Sequence, residues 1–307
     1  MTPPSARPGA DTPARVRLHA DLVIVFITAL WGASFVVVKD AVALADPFSF
    51  LALRFALGGA AATAIARRKV LSAEVLRRGA FLGLFLFAGF AFQTTGLVRT
   101  TESRSAFITG LSVILVPVVS IALFRRLPKP PSIAAVLIAC AGLYVLTGGL
   151  KGGGGKSVLE GDLLTLGCAI CFAFHIAFTE KFAPRAPALA LVAVQLWVVS
   201  ALACASLPFV EVRVTWTGGF VGALIFAGFF ASAMAISLQT WAQARTTAVR
   251  AALLFSLEPV FAALMSVGLG REQLGARELV GGGLTVLAVL VADVGNALLA
   301  RRVREPA

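Results

Sequence analysis

Ten mostly apolar stretches, each near the length of a membrane crossing, follow one another along the chain. They lie near 21–38, 47–66, 80–98, 106–124, 132–148, 162–179, 188–208, 219–240, 249–269 and 279–299. About 20 apolar residues are needed for a helix to cross the hydrocarbon of a bilayer. A backbone in lipid must satisfy its own hydrogen bonds, so each stretch should be helical. Composition agrees: 59% of residues are apolar and 14% charged, against about 45–50% and 25% in soluble domains. So few charges cannot cover a water-facing surface of this size. The expected fold class is an all-α integral membrane protein with ten transmembrane helices. Short connections leave no room for a soluble domain. Residues 1–19 read as a disordered cytoplasmic tail. The run from Leu22 to Val38 is longer than the 7–15 residues of a signal-peptide core, so it reads as a span.

The net charge of +12 would suggest nucleic acid in a soluble protein. Here the basic residues punctuate the spans without exposed aromatics between them, and no nucleic-acid partner is expected. Their distribution sets orientation instead, because cytoplasmic loops carry excess Lys and Arg. With the N-terminus inside, 18 basic residues fall on the inner side and 8 on the outer, Arg54 lying within a span. Both termini are therefore expected in the cytoplasm and the chain in the plasma membrane, a bacterial inner membrane. The cysteines Cys140, Cys168, Cys171 and Cys204 all fall in spans and read as buried, inert thiols.

Residues 93–104 read QTTGLVRTTESR and residues 239–250 read QTWAQARTTAVR, with six of twelve positions identical. Chance would give about one. Asp21-Leu22 and Asp162-Leu163 open the first span of each half. The second half therefore repeats the first, with units expected at 20–150 and 160–300. Five spans is an odd number, so the second unit enters the membrane upside down. Inverted repeats recur in secondary transporters, with the solute site between the halves near the midplane.

Three stretches carry a family resemblance: SLEPVFAALMSVGLGREQLGARELVGGGLTVLAVLVA (256–292), LWGASFVVVK (30–39) and PFSFLALRF (47–55). They resemble the EamA-type repeats of the drug/metabolite transporter superfamily, and the likeness runs from about 20 to 300. It implies ten spans and export of amino acids or other metabolites. It also implies a central cavity lined by spans 1, 3, 4, 6, 8 and 9, with spans 5 and 10 peripheral.

Polar groups within lipid tend to face a bundle interior or cavity. Glu258 is the one acid near the middle of a span and shares a helical face with Ala251, Phe255 and Ala262. Pro259 follows and cannot donate to the carbonyl of Phe255. Glu258 is therefore a candidate proton or substrate-amine site. In the first half Pro117 is the expected counterpart, once four extra residues are allowed, which sets Val116 against Glu258. Ser105, Thr109 and Ser112 form a milder stripe in span 4. His175 shares a face with Phe172 and Thr179 and could relay protons; His19 is the only other histidine, so no metal site is expected. Ser232, Gln239 and Gln243 form a stripe in span 8, and Gln93 is the repeat partner of Gln239. Trp31, Ser34 and Phe35 of span 1, with Phe92, Phe107 and Trp241, would wall the cavity.

Arg54, about eight residues into span 2, is expected to snorkel to the outer surface rather than to pair across the bundle and gate it. Asp293 reads as a headgroup-facing end residue. Gly79/Gly83, Gly218/Gly222 and Gly281–Gly283 read as close-packing sites. The Gly152–Gly155 run lacks phosphate-loop spacing, so neither ATP nor another cofactor is expected, and transport would be gradient-driven or passive. The expected partners are a small-molecule solute, an amino acid or metabolite, and the lipid bilayer. A monomer is expected because both halves are on one chain. Two alternatives stand beside amino acid export. A nucleotide-sugar or sugar-phosphate carrier would need cavity cations. An intramembrane lipid-modifying enzyme would need paired acids or a His–carboxylate set.

Overall fold

A computed structural model describes residues 13–67, 72–125, 127–146, 156–271, 273 and 275–304. Residues 1–12, Arg68, Lys69, Arg126 and the Gly152–Gly155 run lie outside the described residues, as does the side chain of Asp293.

The described chain is helical, with a single isolated bridge between Ala45 and Val214. Eight segments are long and apolar enough to cross a membrane. Two further apolar helical stretches, Pro130–Gly142 and Leu279–Ala292, are shorter. The chain is therefore a multi-pass membrane protein. The elements are α1 (Ala14–Leu44), α2 (Pro47–Ala66), α3 (Ala73–Arg99), α4 (Glu102–Gly110), α5 (Ser112–Phe124), α6 (Pro130–Leu146), α7 (Lys156–Phe182) and α8 (Ala188–Ser206). There follow α9 (Gly218–Ile225), a π-helical segment Phe226–Met234, α10 (Ala235–Gln243), α11 (Ala248–Phe255), α12 (Glu258–Gly268) and α13 (Ala276–Arg304). Helix α1 begins at Ala14, inside the stretch 1–19 expected as a tail.

Helix starts follow local chemistry. Asp46 caps α2 by accepting from the Ser49 N–H at 2.9 Å, with Pro47 at the first helical position. The same carboxylate accepts from the Arg213 N–H at 3.0 Å and so ties the loop before α9 to the end of α1. Burial alone would raise its pKa. The hydrogen bonds from Ser49 and from the backbone of Arg213, Ser49 and Phe48 outweigh that and hold it below the ordinary carboxylate range. Thr101 caps α4 and Thr247 caps α11, each accepting from the N–H three residues on, Arg104 and Arg250, at 3.3 Å. These are the second threonines of the two TT pairs in the repeated motif.

The repeated arginines and the repeated aspartates find each other across the halves. Arg104 donates to Asp162 through Nε at 2.8 Å and through a terminal nitrogen at 2.5 Å. Arg250 makes the same fork with Asp21 at 2.9 and 2.7 Å. Asp21 lies near the start of α1. At the other end of α1, Asp40 binds Arg271, which also reaches Glu102 at 3.5 Å, two residues from Arg104. Asp21 and Asp40 are nineteen residues apart, so the two clusters stand about 28 Å apart along the helix. That is close to a hydrocarbon thickness.

Packing between helices uses small residues as expected at one place and not at another. A Cβ on Gly79 or Gly83 would meet Val194 or Val198 of α8 at 2.6 and 2.8 Å. Gly218 and Gly222 have open space around them, so the predicted close packing there is absent. Helices α6 and α13 pack on each other, with Gly295 against Pro131. They join the bundle through Ala135, Ala139, Ala288 and Ala292. Of the cysteines, Cys168 is buried, Cys140 and Cys171 are half-buried and Cys204 is exposed, so burial of all four is corrected.

Candidate functional site

Two membrane segments are broken in the middle, and the breaks match. Segment α4–α5 turns at Leu111, whose N–H reaches back three residues to Ile108 at 3.1 Å. Segment α11–α12 turns at Ser256–Leu257, where Leu257 reaches Leu254 at 3.2 Å. The shift that carries Gln93 onto Gln239 also carries Leu111 onto Leu257, Ser112 onto Glu258 and Thr109 onto Phe255. This corrects the gapped alignment. Pro117 lies inside α5 rather than at the break, and Val116 is fully buried in the apolar core. Pro259 does stand at its break, in the first turn of α12.

Between the breaks lies a cavity whose empty space, counted with the solvent it opens to, is about 740 Å3. Its walls come from α1, α2, α3, α4–α5, α7, α10 and α11–α12, whereas α6 and α13 stay outside it. Nine predicted residues border it: Trp31, Ser34, Phe35, Gln93, Thr109, His175, Gln239, Phe255 and Glu258. Three do not. Phe92 is 38% exposed on the outer face of α3 and lies against Gly167. Phe107 is buried in the core, and Trp241 packs against that core under the guanidinium of Arg245.

Glu258 is 8% exposed. It opens α12 and makes no hydrogen bond or ion pair with a described residue. The helix N-terminus favours negative charge there. Gly32 lets α1 touch this break, since a Cβ would lie 2.6 Å from Phe261 Cβ and 2.8 Å from the Glu258 carbonyl. His175 is buried, with Nε2 2.7 Å from Gln195 Oε1. The Gln195 amide nitrogen donates to Leu191, which leaves Oε1 to accept from the imidazole. Gln93 donates to Thr109 at 3.3 Å. Gln243 instead donates to the Ile176 carbonyl, and Thr179 and Ser105 are buried in packing.

Arg54 was misplaced by its depth. It is 2% exposed, and it borders the cavity instead of reaching outward. Its Nε donates to Ser232 at 2.8 Å. Its guanidinium lies 5.0 Å from the ring of Phe55 and 4.8 Å from that of Phe90, contacts of ~2 kcal/mol each when desolvated. The π-helical segment sets this up. It presents Ser232 to Arg54 and the Ala231 carbonyl to Trp31, whose Nε1 donates at 2.9 Å. Such segments often mark functional sites, and no sequence signal announced this one. Phe90, Phe172 and Ser112 also border the cavity. Ser112 belongs to the polar stripe expected in span 4, and Phe172 to the face expected around His175.

Repeated apolar helices around a cavity lined with polar groups define a multi-pass membrane protein that handles a small molecule within the bilayer. The EamA-like transporter family model matches residues 18–148 and again 159–292. An uncharacterized transporter of Archaeoglobus fulgidus is 31% identical over 278 residues, covering 91% of this chain and 87% of its own length. The uncharacterized transporter YvbV of Bacillus subtilis is 25% identical over 221 residues, 69% of this chain and 71% of its own. A solved crystal structure at 23% identity superposes with a TM-score of 0.76, covering 93% of this chain and 99% of that one, and shares the fold. The chain belongs to the EamA-like transporter family and is a membrane transporter of a small-molecule solute.

Proposed function

We propose that this transporter exports amino acids or related small metabolites across the plasma membrane by alternating access. In this reading the chain has ten spans in two inverted five-helix units, 20–150 and 160–300, with both termini cytoplasmic and one chain as the working unit. The observation that carries it is the cavity itself, walled by equivalent residues of both halves: Gln93 and Gln239, Thr109 and Phe255, Ser112 and Glu258. A site built this way can be presented to either side when the halves rock about it. The two forks, Arg104–Asp162 and Arg250–Asp21, stand at opposite ends of α1 and join one half to the other. They suit closing contacts that open in turn.

A carrier for phosphorylated solutes gains support from one observation, the cation Arg54 on the cavity wall. The enzyme reading gains none: His175 is held by the amide of Gln195 rather than by a carboxylate. Counterflow in proteoliposomes tests the reading. A panel of radiolabelled amino acids should give uptake driven by the same unlabelled amino acid inside, with the solute recovered chemically unchanged. Absence of exchange for every solute, or its conversion, overturns it.

A further inference from the structure

We infer that Arg54 binds the carboxylate of the transported solute, which makes that solute a zwitterion whose ammonium group faces Glu258. This rests on the cavity being the transport site. Three features of Arg54 point to a ligand.

The first is unused capacity. A guanidinium carries five N–H donors. Nε is taken by Ser232, and the terminal nitrogens have no hydrogen bond to a described residue. No described carboxylate lies within ion-pair distance of it. A cation buried inside a membrane bundle without a countercharge is costly and points to a functional site.

The second is orientation. The guanidinium carbon lies 5.0 and 4.8 Å from the ring centres of Phe55 and Phe90, and Ser232 takes its Nε. Neither contact takes the terminal nitrogens of Arg54, and the residue borders the cavity. A planar fork matches a carboxylate through two parallel hydrogen bonds.

The third is charge balance. Glu258 borders the same cavity, and no ion pair joins it to Arg54. One cation and one acid, held apart, complement a solute that carries one charge of each sign. A phosphate dianion would satisfy Arg54 but leave its second charge against Glu258, a like-charge penalty that selects against it. The remaining walls, with Trp31, Phe35, Phe172 and Phe255, suit an apolar side chain.

The test uses the full chain in proteoliposomes, with counterflow of tritiated L-leucine and L-phenylalanine. Competitors are each free amino acid, its amide, which keeps the ammonium and loses the carboxylate, and glucose 6-phosphate. The wild type should prefer the acid over the amide by about 10- to 100-fold, the range of a charge-assisted hydrogen bond. Arg54→Gln should bring the ratio of acid to amide competition close to one, and Arg54→Lys should restore part of the preference. Wild type that does not distinguish acid from amide overturns the inference while leaving transport standing, and this arm needs no variant to fold. So does an Arg54→Gln protein that keeps the full preference. Exchange of glucose 6-phosphate without exchange of either amino acid also overturns it. Absence of exchange for every solute overturns both the inference and the transport reading beneath it.

Discussion

Ser112 and Glu258 stand at equivalent places in the two halves. Each is the first residue of the helix that follows a break, and both border the same cavity. The two breaks thus differ in chemistry, with a hydroxyl at one and a carboxylate at the other.

Glu258→Gln should lower counterflow by about tenfold or more, the worth of one charge-assisted hydrogen bond, and should flatten the response to an imposed pH gradient. Ser112→Ala should cost less, since a neutral hydroxyl contributes only about 0.5–1.5 kcal/mol. The Gln variant should melt at or above the wild-type temperature, because a neutral amide is easier to bury. Transport with unchanged pH dependence removes Glu258 from the cycle.

The two Arg–Asp forks predict opposite effects. Arg104→Ala should loosen one end of the bundle and Arg250→Ala the other. Thiol labelling of Ser112→Cys, in a background without the four native cysteines, reads out the difference from each membrane face. One variant should raise labelling from one side and the other variant from the opposite side. Exchanging the partners within a pair, Arg104→Asp with Asp162→Arg, should recover part of the loss. Identical labelling in both single variants refutes a gating role.

Gly32→Val should destabilise the fold and abolish transport. Its side chain would enter the backbone of α12 at the Glu258 carbonyl and the Ala262 nitrogen, both 2.8 Å from a Cβ. Overpacking of this kind costs about 1–3 kcal/mol. Thermal melting in detergent measures it, and a Gly32→Ala variant should fall between.

Asp46→Ala should cost about 0.5–2 kcal/mol at neutral pH through loss of the α2 cap. The native carboxyl is held below its unfolded value. Its charge-linked stabilisation is therefore full above the unfolded pKa of about 3.9, and it is lost as pH falls through the lower folded value. The difference in melting temperature between wild type and variant should accordingly narrow in strong acid. A gap constant down to the lowest pH at which both fold excludes the carboxylate as its source.

The helices were legible because a membrane span is a local property. Length and apolar composition suffice for it, and eight of the ten expected spans meet that standard in full. The repeated motif located Arg104, Arg250, Asp21 and Asp162 but not their pairing, which needs α1 beside α11 and α4 beside α7. Proline misled the reading of the first half. Pro117 suggested a break, whereas the backbone turns at Leu111 without a proline in the turn.

Arg54 marks the limit most clearly. Depth along α2 is a one-dimensional measure and placed it within reach of the surface. Its actual surroundings depend on the azimuth of α2 and on a π-helical segment far away in sequence, which turns Ser232 toward it. Sequence alone determined the apolar helices, the duplication and most of the polar cavity residues, because these follow from periodicity and from the cost of polar groups in lipid. Only the tertiary structure decided where the first half's helix breaks and that Arg54 borders the cavity. Those outcomes depend on contacts between segments that no local pattern encodes.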